Sequence, residues 1–81
     1  MKNLAEQKDV LRIVQQTLPQ IDFSTERLLV DDGVLDSFSV MLLISALSME
    51  YDIIFDVDNL TPENFNSISA ITGTIRRLQQ V

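Results

Sequence analysis

The chain has neither cysteine nor histidine, and it is poor in the residues that interrupt helices. Two glycines and two prolines among 81 residues are too few for a chain built of tight β-turns. Without cysteine the protein can form neither a disulfide framework nor a thiolate metal site. Without histidine it lacks the usual general base, the Ser-His-Asp arrangement and the commonest metal ligand. We therefore expect that the protein is not an enzyme in its own right.

Basic residues are also scarce. Six lysine and arginine residues against twelve acidic residues give a formal net charge of −6. This charge repels nucleic acid and anionic membrane surfaces, and it attracts a partner with a basic docking patch. The longest apolar run, Val40 to Ile44, is far too short to span a bilayer, and no apolar leader segment follows Met1. We expect a cytoplasmic protein without a nucleic-acid partner and without membrane insertion.

Apolar residues make up 46% of the chain, which suffices for one small, continuous core. No internal repeat, low-complexity tract or long linker divides the sequence. We therefore expect residues 1–81 to form one domain and the protein to be a monomer.

The hydrophobic periodicity predicts a first helix from about Leu4 to Leu18. The apolar residues assigned to its buried face are Leu4, Leu11, Val14 and Leu18. Asn3 and Glu6 have the spacing of a capping box, and Pro19 ends the helix. A long connection over residues 20–35 follows. Its expected buried anchors are Ile21, Phe23, Leu28, Leu29 and Leu35.

A second helix is predicted from Asp36 or Ser37 to about Tyr51, because apolar residues recur there every four positions. Thr61 and Pro62 then begin a short helix, and Asn66-Ser67 interrupts the chain again. The last amphipathic helix is marked by Ile68, Ile71, Ile75 and Leu78. The sequence thus predicts an all-α fold, a small antiparallel bundle of three main helices plus one short helix.

Ser37 is the serine in the most unusual position. The acidic loop Asp31-Asp32-Gly33 leads into it, and it lies in the first turn of the longest predicted helix. The N–H groups of a first turn carry partial positive charge and tolerate an anion, so a phosphate ester is favoured there. Asp36 caps the helix and offers an oxygen ligand to Mg²⁺. The simpler interpretation is that Asp36 and Ser37 only begin a helix.

The segment Asp32-Gly33-Val34-Leu35-Asp36-Ser37-Phe38 resembles the acyl carrier protein family, and so do Leu60-Thr61-Pro62-Glu63-Asn64-Phe65 and Ser67-Ile68 further along. The resemblance spans nearly the whole chain. It implies that Ser37 bears a covalent phosphopantetheine derived from coenzyme A. Leu35-Asp36-Ser37-Phe38 is similar to D-alanyl carrier proteins, so the implied cargo is either an acyl or an aminoacyl thioester. The implied partners are a phosphopantetheinyl transferase, an acyl- or aminoacyl-loading enzyme and a downstream transferase in fatty-acid, polyketide or other specialised biosynthesis.

The second helix departs from that family in composition. Leu42, Ser48 and Met49 stand where the family commonly carries acids. The residues that we assign to a partner-binding face are Phe38, Met41, Leu42, Ser45 and Met49, joined by Phe55 and Phe65 from the following segment. An exposed apolar patch of this kind usually marks a docking surface. The alternative is that these residues belong to the core.

Two further possibilities come from other classes. An unmodified helical protein–protein interaction module would use the same apolar face without any phosphopantetheine. A calcium loop beginning at Asp56 is excluded, because Thr61 stands where glycine is needed and Ser67 where a bidentate glutamate belongs. No metal site is expected.

Overall fold

A computed structural model describes residues 4–23 and 28–80. Four α-helices occur within these ranges: α1 Gln7–Thr17, α2 Ser37–Tyr51, α3 Pro62–Phe65 and α4 Ile68–Gln79. A short 3₁₀ turn, Val57–Asn59, precedes α3, and the described residues contain no β-strand. The predicted all-α class, with three main helices and one short one, is confirmed.

The start and the buried face of α1 differ from the prediction. The helix begins at Gln7, and its N-cap Glu6 makes no side-chain capping hydrogen bond; Asn3 lies outside the described residues. Leu4 precedes the helix and is exposed, so its assignment to the buried face of the helix is wrong. Val14 and Leu18 are buried as predicted. Within the helix Val14 is joined by Val10 and Ile13, whose spacing of three and four places them on one face with it. Leu11 lies at the exposed edge of that face.

The core forms where α1 meets both α2 and α4, while α3 packs on α4. The fully buried leucines and isoleucines are Leu29, Leu43, Leu47, Ile71 and Ile75. The segment before α1 is tied to α4 by two hydrogen bonds. The Ala5 N–H donates to Oε1 of Gln79 at 2.8 Å, and Nε of Arg76 donates to the Ala5 carbonyl at 2.6 Å.

The connection between α1 and α2 is anchored in the core, as predicted, by Phe23, Leu29 and Leu35. Ile21 is partly buried against the same cluster. Leu28 is exposed, which corrects its assignment as an anchor. Its N–H donates to Oδ2 of Asp32 at 2.9 Å, so this residue belongs to a surface turn. The turn closes at Gly33, whose φ of +76° lies in the left-handed region that favours glycine.

Gln15 holds the start of this connection. Its Nε2 donates to the carbonyl of Ile21, and its Oε1 accepts a hydrogen bond from the Phe23 N–H at 3.5 Å. A single amide side chain on α1 therefore fixes the chain as it leaves the helix. At the far end, the Leu35 N–H donates to the Leu29 carbonyl at 2.7 Å and brings the chain to α2.

Candidate functional site

Ser37 is the first residue of α2 and is exposed. The preceding residue, Asp36, is the N-cap, with extended backbone and Oδ1 accepting a hydrogen bond from the Ser39 N–H at 2.8 Å. The Asp36 carbonyl accepts from the Val40 N–H at 3.0 Å, which closes the first turn. Buried Leu35 fixes the chain immediately before the cap. The Ser37 hydroxyl is thereby held at an accessible helix start, beside a capping carboxylate.

The Asp36 carboxylate is stabilised in its charged form. Hydrogen bonds from the Ser39 backbone N–H and then from the Ser39 hydroxyl hold the pKa of Asp36 below its ordinary value. The group is fully exposed, so it remains available to a cation from solvent. Within the described residues no group of three or more acidic side chains is arranged to hold a metal ion.

An apolar groove of about 490 Å³ opens beside Ser37. Its lining residues come from the end of the connection, from α2 and from the α3 region: Val30, Leu35, Asp36, Ser37, Val40, Met41, Ile44, Leu60, Thr61, Pro62 and Phe65. Asp36 is the one charged residue among them. The groove exists because α3 packs on α4 and leaves the facing side of α2 partly uncovered. An alcohol at its edge and an apolar interior are thus placed together.

Phe55 and Phe65 are less accessible to a partner than the other residues assigned to the partner-binding face. Phe65 is only 1% exposed, so it belongs to the core, which is the alternative given for these residues. Its ring is held in the core, 5.8 Å from the ring of Phe55, and it lines the groove from within. Phe55 is half-buried against Phe65 and does not line the groove. Leu60 lines the same groove as Ser37.

α2 also presents a largely apolar stripe to solvent. Each member lies three or four positions from another member of the stripe, and Met41 also lines the groove. The members are Phe38, Met41, Leu42, Ser45 and Met49. Met49 is 80% exposed and Leu42 is 37% exposed, so the two differ strongly in how far the fold already covers them. Because Leu43 and Leu47 fill the core on the inner face, α2 is apolar on nearly every side. We call the exposed residues of this stripe the α2 face.

Two exposed apolar residues were missed by the sequence argument. Ile54 and Val57 follow α2 and are among the most exposed large side chains of the described chain. The acidic residues Asp52, Asp56 and Asp58 lie in the same segment. The α2 face therefore lies next in the chain to further exposed apolar groups with acidic neighbours.

Basic residues are absent from the part of the sequence that contains Ser37, the groove residues and the α2 face. Residues 28–75 contain no lysine or arginine, and they hold eight of the twelve acidic residues. The described basic residues lie on α1, at Lys8 and Arg12, and at the end of α4, at Arg76 and Arg77. Among the residues that line the groove or form the α2 face, the charged one is Asp36, an acid.

Comparisons with models of known protein families, with curated proteins and with solved structures found no match. In the part of the chain that the structure describes, no helix has the length and apolar character needed to cross a membrane.

Proposed function

We propose that the protein is an acyl carrier protein in which Ser37 carries a phosphopantetheine arm. The observation that carries the proposal is the juxtaposition of an exposed serine, at the capped start of α2, with an apolar groove. A carrier needs both, a hydroxyl that a modifying enzyme reaches and a place where an apolar cargo leaves water. The family resemblance of residues 32–38 and 60–68 supports the same function.

The chemistry at Ser37 is a phosphoryl transfer. The Ser37 oxygen forms a bond to the β-phosphorus of coenzyme A, the bond to the adenosine 3′,5′-bisphosphate leaving group breaks, and the hydroxyl proton passes to a base of the transferase. The α2 start tolerates the resulting phosphodiester because its N–H groups carry partial positive charge. Asp36 offers one oxygen to the Mg²⁺ that the transferase holds. When attached, the group supplies the thiol that a chain without cysteine lacks.

The groove favours an apolar acyl cargo over an aminoacyl one. Seven of its lining residues are aliphatic, sulfur-containing or aromatic: Val30, Leu35, Val40, Met41, Ile44, Leu60 and Phe65. An aliphatic chain gains free energy by leaving water for such surroundings. An ammonium group would lose its hydration there, with Asp36 at the groove as the single counter-charge.

We assign the α2 face to the partner enzymes. A contiguous apolar stripe on a small domain is expected to be covered in a complex. The absence of lysine and arginine over residues 28–75 indicates partners with basic residues around an apolar docking surface. The transferase and a loading enzyme both have to approach the start of α2.

The proposal is tested by co-expression with a phosphopantetheinyl transferase of broad specificity, followed by intact-mass measurement. We expect one phosphopantetheine increment in the wild-type protein and none in Ser37→Ala. Ser39→Ala is the matched control, because it removes a hydroxyl from the same turn and should leave the increment in place. An unmodified wild-type protein under several transferases would contradict the proposal.

The second candidate is an unmodified interaction module. The exposed α2 face favours it, since apolar packing with a partner requires no arm. The two functions separate on the same measurement, because a module shows no mass increment while substitutions on the α2 face still abolish its binding.

A further inference from the structure

Asn66 joins the two sides of the groove. It lies between α3 and α4, and its Oδ1 accepts hydrogen bonds from the backbone N–H groups of Val30 at 2.9 Å and Asp31 at 3.0 Å. Its Nδ2 donates to Oδ2 of Asp31 at 3.1 Å. Its backbone carbonyl accepts from the Leu29 N–H at 2.9 Å. One residue thus makes four hydrogen bonds to a segment about 35 residues earlier in the chain.

The chemistry of an amide is required at this position. Two N–H donors and one carboxylate surround the side chain, so the oxygen must face the N–H groups and the nitrogen must face the carboxylate. A carboxylate at position 66 would accept the two N–H bonds but would repel Asp31. An aliphatic residue there would leave both N–H groups without this acceptor.

These hydrogen bonds connect the walls of the groove. Val30 lines the groove on the side of the connection, and Phe65, the residue before Asn66, lines it from the α3 side. α3 is only four residues long and packs on α4. The Asn66 hydrogen bonds tie the end of α3 directly to the connection that leads to Ser37.

We propose that Asn66 is a positioning residue that sets the separation of the groove walls, through a clamp formed by Asn66 with Leu29, Val30 and Asp31. The groove stays narrow while the clamp is closed, and it becomes open to solvent when the clamp is lost. A narrow groove would protect an acyl chain attached through Ser37, and this consequence rests on the proposed function. The existence of the clamp does not depend on that function.

The absence of cysteine makes the groove measurable in the unmodified protein. Ile44 lines the groove and is half-buried, so Ile44→Cys places a single thiol there. The rate at which iodoacetamide alkylates this thiol reports how open the groove is. All variants below carry Ile44→Cys, and the parent is Ile44→Cys alone.

The decisive comparison is an exchange of groups across the clamp. Asn66→Asp places two carboxylates against each other, and we expect alkylation about tenfold faster than in the parent, the scale of one lost hydrogen bond with a charged group. Asp31→Asn combined with Asn66→Asp restores the bond between the two side chains with donor and acceptor exchanged, while the two backbone N–H groups still donate to residue 66. The rate should return to within about twofold of the parent. Asp31→Asn alone keeps an acceptor for Nδ2 and should stay near the parent.

Gln15→Ala is the control for a general loss of stability. Gln15 is also an amide that ties down the same connection, but it contacts Ile21 and Phe23 and does not line the groove. We expect its alkylation rate to stay near the parent even when its melting temperature falls as far as that of Asn66→Asp. If Asn66→Asp does not fold, Asn66→Ala tests the same loss without the added charge.

Three results overturn the proposal: a parent-like rate in Asn66→Asp, no recovery in the double variant, or an equal increase in Gln15→Ala. If the proposed function is wrong, the mass measurement shows no increment at Ser37. The alkylation rates of the thiol introduced by Ile44→Cys still test the clamp in that case.

Discussion

The α2 face can be tested by placing a charge at two positions that differ in burial. Met49 is 80% exposed and Leu42 is 37% exposed. Scaling the roughly 1.5–3 kcal/mol for full burial of such a side chain by its covered fraction gives about 0.3–0.6 kcal/mol for Met49 and about 1–2 kcal/mol for Leu42. Met49→Glu should therefore lower the melting temperature by less than about 5 °C, and Leu42→Glu by about 4–16 °C. Met49 is the cleaner probe.

The effect on arm transfer should instead be similar at both positions, because both lie on the α2 face. Met49 follows Ser37 by twelve residues, which is about 18 Å along the helix axis, so its side chain cannot touch the serine. If a partner covers Met49, a carboxylate there must be buried without a counter-charge, at a cost of about 2 kcal/mol or more. We expect kcat/KM for arm transfer to Ser37 to fall about thirtyfold in Met49→Glu. Leu42→Glu should show a similar fall on top of its loss of stability.

The assay is the initial rate of phosphopantetheine transfer at substrate concentrations below KM, with helicity and melting followed by circular dichroism. Gln16→Glu on α1 is the matched control, since Gln16 is exposed and the substitution adds the same charge away from α2. The reasoning is refuted if Met49→Glu is modified at the wild-type rate. It is refuted equally if Gln16→Glu is impaired to the same extent, because net charge alone would then explain the loss.

Two further predictions concern stability. Gly33→Ala should lower the free energy of unfolding by about 1–2 kcal/mol, because φ is positive at this position. Gly73→Ala should raise it by about 0.5–1 kcal/mol, because Gly73 lies within a helix and the new methyl group meets nothing closer than 3.8 Å. Urea denaturation measures both changes, and two changes in the same direction would contradict the backbone argument. The pKa of Asp36 is lowered by folding, so its contribution is present above the unfolded pKa and is lost as the pH falls through the lower folded value. Asp36→Ala should therefore have a lower urea midpoint than wild type near neutral pH, and this difference should shrink below about pH 3.8. A difference that stays constant with pH would show that the charge of Asp36 does not stabilise the cap.

The helices were predictable where local signals agreed. Asp36 supplies a cap and the leucines of α2 supply a repeat, so the bounds of α2 followed from sequence. Pro62 marked the start of α3, and Ser67, which accepts a hydrogen bond from the Ala70 N–H, marked that of α4. In α1 two overlapping apolar faces were possible, and only packing against α2 and α4 decides between them.

The site was predictable only in part, because it depends on contacts between distant segments. The exposure of Ser37 followed from its place at a helix start. The groove required α3 to pack on α4, and the clamp at Asn66 required two segments to meet across about 35 residues. Asn66 carried no signal beyond that of a helix breaker, and Phe65 could not be told from a surface residue before its neighbours were known.

The apolar character of α2 on nearly every side also bears on how the protein behaves in concentrated solution. Near neutral pH the twelve acidic residues keep separate molecules apart. As the pH falls and carboxylates take up protons, that repulsion fades while the exposed methionines and Phe38 remain uncovered. We therefore expect self-association to be strongest near the isoelectric point of about 4.2, and purification is best kept well above that pH.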